Sequence, residues 1–105
     1  MALAVWTNTA AIAAGTAYSI PANAGLPVGS MLVDVLSVTI MPLAGSTVAP
    51  VTENRVAPNT TAPAAGQVSL QTTGTNAQKL ISGDTIPANA VVVANVRTQA
   101  EGVIQ

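Results

Sequence analysis

The sequence has no cysteine, no histidine and no phenylalanine, and only one tryptophan and one tyrosine. Without cysteine there is no disulfide framework, no thiolate nucleophile and no zinc knuckle. Without histidine there is no imidazole base, no Ser-His triad and no usual ligand for a transition metal. Charge is scarce too. Asp34, Glu53, Arg55, Lys79, Asp84, Arg97 and Glu101 are the only charged side chains, for a net charge of −1. Three cations make a poor match for a phosphate backbone, so no nucleic-acid partner is expected. A long apolar run is also missing. Residues 1–33 are uncharged, but Thr7, Asn8, Thr9, Pro21, Asn23 and Pro27 interrupt them. No stretch of about 20 apolar residues remains to cross a membrane. No Lys or Arg precedes the first apolar stretch, so a secretory signal is not expected either.

What is present is small and apolar. Half of the 105 residues are hydrophobic, and 20 of those are alanine. A buried Val or Leu contributes roughly 1.5–3 kcal/mol, whereas an alanine adds about one methyl. The core of one such domain is therefore thin. Small folds usually compensate with disulfides, metals or oligomerisation, and composition closes the first two. Charge at 7% is far below the roughly 25% of ordinary soluble domains. These two shortages predict that other chains, copies or partners, cover much of the surface. The alternative is a monomer kept soluble by Thr, Asn, Ser and Gln.

Thr and Val are abundant, and Pro and Gly are spread throughout. The first pair favours strands and the second forbids long helices. The expected fold is all-β, a small sandwich or barrel of short antiparallel strands, in a single domain over residues 1–105. Expected strands are Leu3–Thr9, Thr16–Ile20, Ser30–Met41, Val68–Thr72, Gln78–Ile81 and Ala90–Thr98. Thr73-Gly74-Thr75-Asn76 makes Val68–Thr72 and Gln78–Ile81 a hairpin. Ala10–Ala14 reads as strand or a single turn, and Gly102–Gln105 as a short edge strand. Ser30–Met41 is apolar at both odd and even positions, which predicts cover on both faces.

Between about residues 42 and 66, Pro42, Pro50, Pro58 and Pro63 punctuate Ala, Thr, Val and Asn. This predicts a long loop or an extended arm, with a short strand near Thr47–Val51 or Asn54–Val56. Candidate subunit contacts follow. They are Trp6, the one large anchor of the first strand, then Met31, Val33 and Val35 on the two-faced strand. On the arm they are Pro50, Val51, Glu53, Arg55 and Pro58. Glu53 and Arg55 are close enough to pair with each other or across an interface.

Ile20-Pro-Ala-Asn-Ala24 recurs as Ile86-Pro-Ala-Asn-Ala90. Pro fixes φ and Asn tolerates the left-handed region, so each copy is a good turn. Groups that could carry chemistry are few and scattered. The four carboxylates lie at unrelated spacings, and Asp84 reads as a turn residue. Asp34 would pair with Arg97 or Lys79, or guard a strand edge. Lys79 and Ser82 alone make a weak Ser-Lys dyad. Asn59-Thr60-Thr61 matches a glycosylation acceptor. No enzyme, cofactor, metal or small-molecule substrate is expected.

The stretch Ser82-Gly-Asp-Thr-Ile-Pro-Ala-Asn-Ala-Val-Val-Val93, in a chain poor in charge and free of cysteine, resembles small virion proteins of tailed bacteriophages. That resemblance implies a capsid cement (decoration) protein, β-rich and often trimeric, clamping major capsid protein subunits on the virion surface. It transfers no functional residue. The alternatives are another virion part (tail, baseplate or head-fibre subunit) or a cell-surface binding module such as an adhesin or ice-binding protein.

Overall fold

The computed structural model describes residues 2–27 and 30–99. Seven strands form in chain order: β1 (Ala2–Thr7), β2 (Ala17–Tyr18), β3 (Leu32–Met41), β4 (Val51–Arg55), β5 (Gln67–Leu70), β6 (Leu80–Ser82) and β7 (Val91–Thr98). They join in one sheet ordered β1-β7-β3-β4-β5-β6-β2, curled into a half-barrel. The fold is all-β, as the Val/Thr content requires. The curl brings the two edge strands together. Trp6 on β1 and Tyr18 on β2, the chain's only aromatic residues, sit 6.5 Å apart between ring centroids at 53°, a tilted contact of the favoured kind. The Gly102–Gln105 strand expected from the sequence lies outside the described residues.

The inner face of the curl is the core. Ala4 and Trp6 of β1 stand opposite Ala94 and Val92 of β7, and Val38 and Ile40 of β3 stand on the other side of the same pair. Val68 and Leu70 on β5 and Leu80 on β6 extend it, and Ile86 seals it from the turn before β7. Ile86 also forms a two-way bridge with Ile12, so Ala10–Ala14 is neither a full strand nor a free turn.

Within this chain β3 buries one face. Its buried residues are Leu32, Val35, Val38 and Ile40. The register against β7 slips between Leu32 and Asp34 and again between Val35 and Ser37. Each bulge adds one residue and flips the alternation. Apolar residues at both parities, Leu32 and Val35 among them, therefore serve a single inner face within this chain.

The Pro-rich stretch is not one arm. Val51–Arg55 is β4, hydrogen-bonded between β3 and β5 in mid-sheet. β4 and β5 are parallel, whereas the other five pairs are antiparallel. A parallel pair requires a crossover rather than a tight turn, and residues 56–66 supply it. This crossover lies along β5: Val56 N–H donates to Val68 O and Asn59 N–H to Leu70 O, both at 2.9 Å. Residues 42–50 are the remaining loop, joining β3 to β4.

Both copies of the Ile-Pro-Ala-Asn-Ala repeat close the same turn. Ala24 N–H donates to Pro21 O, and Ala90 N–H to Pro87 O. Each then offers its Ala carbonyl to the first strand region, Ala24 to Val5 N–H at 2.9 Å and Ala90 to Asn8 N–H at 2.8 Å. The copies diverge at Asn: Asn89 has φ 66°, while after the first copy Gly25 takes the positive φ, 96°.

Candidate functional site

The outward side of β1, β7, β3 and β4 is built in rows by the register. One row is Leu3, Asn95, Ser37 and Asn54. The next is Val5, Val93, Thr39 and Thr52, and the third is Thr7, Val91 and Met41. None of these residues is charged. Leu3 is 59% exposed, Val5 46% and Met41 40%. Thr39 and Thr52 hydroxyls meet at 3.3 Å. The β3–β4 loop, residues 42–50, exposes Leu43 and Val48 and is likewise without charge. A patch of this kind on a small domain marks a contact surface more often than a random scatter of apolar residues does.

The charged residues of this half gather at the far end of β3. Arg55 forms an ion pair with Asp34, which stands opposite Arg97 in the β3–β7 register. Asp34 thus pairs with Arg55, the partner the sequence reading did not assign. Val33, Asp34, Arg55, Val56, Ala57 and Pro58 line an open groove of about 410 Å³. A more apolar groove of about 310 Å³ runs past Ile20, Leu26, Met31 and Leu32 to Gln78. There the Gln78 side chain accepts from Leu32 N–H at 2.5 Å and donates to Leu32 O at 3.1 Å.

The candidate contact residues divide. Met31, Val33, Pro50, Arg55 and Pro58 are exposed, and Val33, Arg55 and Pro58 share one groove. Val51 is half-buried against the core. Trp6, Val35 and Glu53 are corrected: all three are interior. Trp6 and Val35 face inward on strands whose core side is fixed by register. Glu53 stands opposite Val38 of the core. It cannot pair with Arg55, which ends β4 and reaches outward to Asp34.

Glu53 is the feature that sequence reasoning placed on the wrong side. It is fully buried. Its Oε2 accepts from Asp84 N–H at 3.0 Å, and its Oε1 has no hydrogen-bond partner among the described residues. Asp84 Oδ2 in turn accepts from Gly66 N–H at 2.7 Å. Ser82 Oγ lies 2.6 Å from Tyr18 Oη, which uses the hydroxyl that a Ser-Lys dyad would need. Burial pushes the Glu53 carboxyl up to about 8, and the Asp84 carboxyl adds to the rise; Ser82 and the Asp84 N–H oppose it and lose. Burial also pushes the Tyr18 phenol above its usual range. A carboxyl sealed from water without a cation is more stable neutral. Nothing local in the sequence marks Glu53, because its partners lie about thirty positions further on.

Asn59 has a structural role. Its Nδ2 donates to Thr72 Oγ1 at 2.7 Å and its Oδ1 accepts from Thr72 N–H at 2.8 Å. This pins the crossover to the segment after β5. Among the described residues, no three acidic, His or Cys side chains gather where a metal could sit.

No family model matches the chain, and neither do the curated proteins or the solved structures with which it was compared.

Proposed function

We propose that this chain is a non-enzymatic structural subunit, specifically a capsid cement protein that sits as a homotrimer at major capsid protein junctions on a phage head. The observation that carries the reading is the three uncharged rows on the outer face of β1, β7, β3 and β4. The cores of protein interfaces are depleted of charge, because an ion buried without a partner costs several kcal/mol. This face can be covered without stranding any ion. Further copies of the chain are the occupants it suits best, since three such faces gathered about a common axis bring no unmatched charge to one another. The shell partner comes from the resemblance of the Ser82–Val93 stretch and of the composition to phage virion proteins. A protein that binds only the assembled shell stabilises it by mass action.

The test is native mass on the purified chain and on Val5→Glu, which sets a charge at the centre of the face. The expected result is a trimer for the parent and a folded monomer for the variant. A parent that stays monomeric at high concentration overturns the self-association. For the shell, particles stripped of the protein should break at lower temperature than intact ones, and equal breakage temperatures overturn the cement role.

A further inference from the structure

The buried acid lies apart from the outer face and is not used by the assembly reading. Glu53 Oε2 holds the backbone of Asp84, and Asp84 Oδ2 holds the backbone of Gly66. Gly83, between them in the chain turn after β6, donates to Gln67 O at 2.8 Å. A Cβ on Gly83 would sit 1.9 Å from Ala64 O, so the two turns are pressed together with no slack. Gly15 N–H closes on Ser82 O at 2.9 Å from the other side. The Glu53 carboxyl thus ties the turn after β6 to β4, while Asp84 and Gly83 tie that turn to the one before β5.

We propose that Glu53 is a proton-dependent latch: its neutral carboxyl holds the Ser82–Asp84 turn to β4, and loss of its proton releases that turn. The titratable groups facing Glu53 are Asp84, from the turn after β6, and Tyr18, from β2. Both are acids, so neither compensates a negative charge. Its neighbour Arg55 is engaged with Asp34. β3 faces it with Val38, which offers no hydrogen bond. An ionised Glu53 would stand in the interior beside a second carboxylate, with only the Ser82 hydroxyl and the Asp84 N–H to oppose the cost. Turning outward into water relieves both burial and repulsion, and the turn that hangs on Oε2 must then let go. Gly83 and Asp84 are only half-buried, so water needs to travel little to reach the carboxyl once the turn opens.

The test is amide hydrogen exchange by NMR on the full chain, read as protection factors from pH 6 to 9.5. The expected result is a loss of about tenfold in protection at Gly83 and Asp84 between pH 7 and 9. Val92, in the core of β7, should show no such loss. In Glu53→Gln the protection at Gly83 and Asp84 should be independent of pH. A pH-independent parent, or the same loss in parent and variant, overturns the proposal. Should Glu53→Gln fail to fold, the Glu53 side-chain carboxyl carbon in the parent decides. A titration midpoint above 7 supports the latch, and one between 4 and 5 overturns it.

Discussion

The two halves of this sheet solve burial differently. In β1, β7, β3 and β4 the strands are long, one face is apolar and the other meets solvent. In β5, β6 and β2 they are short, and both faces of β5 and β6 are covered. Val68, Ser69, Leu70 and Gln71 are buried in succession, and so are Leu80, Ile81 and Ser82. The cover on β5 is the chain's own crossover. Ser69 Oγ accepts from Thr60 N–H and donates to Ala57 O, both at 3.0 Å, and Gln71 Nε2 donates to Thr60 O at 3.0 Å. The long half is held by apolar contact. The short half depends more on buried polar groups finding partners, because strands of two to four residues cannot bring enough apolar area. The comparison also explains why Glu53 can be tolerated. It sits on β4, where the two halves meet, and its partners belong to the polar half.

The sharpest way to break this comparison is to remove bulk from the long half. Ile40 is 1% exposed and packs between Val51 and Val92 across the sheet. Ile40→Ala should cost about 2–5 kcal/mol by denaturant unfolding. A cost below about 1 kcal/mol would mean that the long half is not held by close apolar packing.

The next effect belongs to the boundary. Glu53 moves from an ordinary 4.5 in the unfolded chain to about 8 in the folded one. Between those values the folded state keeps a proton that the unfolded state has lost. The contribution is fully present below 4.5 and disappears as pH rises through 8. Stability should therefore fall with rising pH across this window, by up to about 1.4 kcal/mol per unit. Chemical denaturation at pH 5, 6, 7 and 8 measures it. A flat or rising profile in the parent would show that Glu53 is not neutral in the fold.

The long half was much more legible in the sequence than the short one. Leu32–Met41 and Val91–Thr98 carry Val-rich runs whose strand character needs no partner to recognise. Their neighbour Ala2–Thr7 carries Trp6. The hairpin of β5 and β6 was legible from Thr73-Gly74-Thr75-Asn76, and Gly74–Asn76 does form a single 3-10 turn. The bulges of β3 were not, since a shift of parity looks the same as two covered faces until the partner strand is known. A short strand near β4 was legible, but not its place in mid-sheet, because Pro50 and Pro58 flank it and it contains Glu53 and Arg55, so propensity argued against a central strand. Its burial comes from neighbours on β3 and from a turn thirty residues on. The crossover read as an arm for the same reason. Its contacts are backbone and small hydroxyl groups, which leave no pattern in a chain rich in Thr, Ala and Asn.

The smallest effect tests the open side of the long half. Arg55 and Asp34 pair at the surface, with side chains 57% and 25% exposed. Water and salt screen such a pair, and ordering a long Arg side chain costs part of what the attraction returns. Arg55→Ala should therefore change unfolding free energy by less than about 1 kcal/mol in the isolated chain. Raising the salt concentration should erase most of that difference. Association separates two roles for the groove that Arg55 shares with Val33 and Pro58. If the outer rows of Leu3, Val5 and Met41 alone form the contact, Arg55→Ala leaves the native mass unchanged while Val5→Glu lowers it. A loss of the oligomer in Arg55→Ala with stability intact would move the interface to the charged end of β3. The uncharged face would then be solvent surface, and the contrast between an open long half and a covered short half would hold in the assembled protein too.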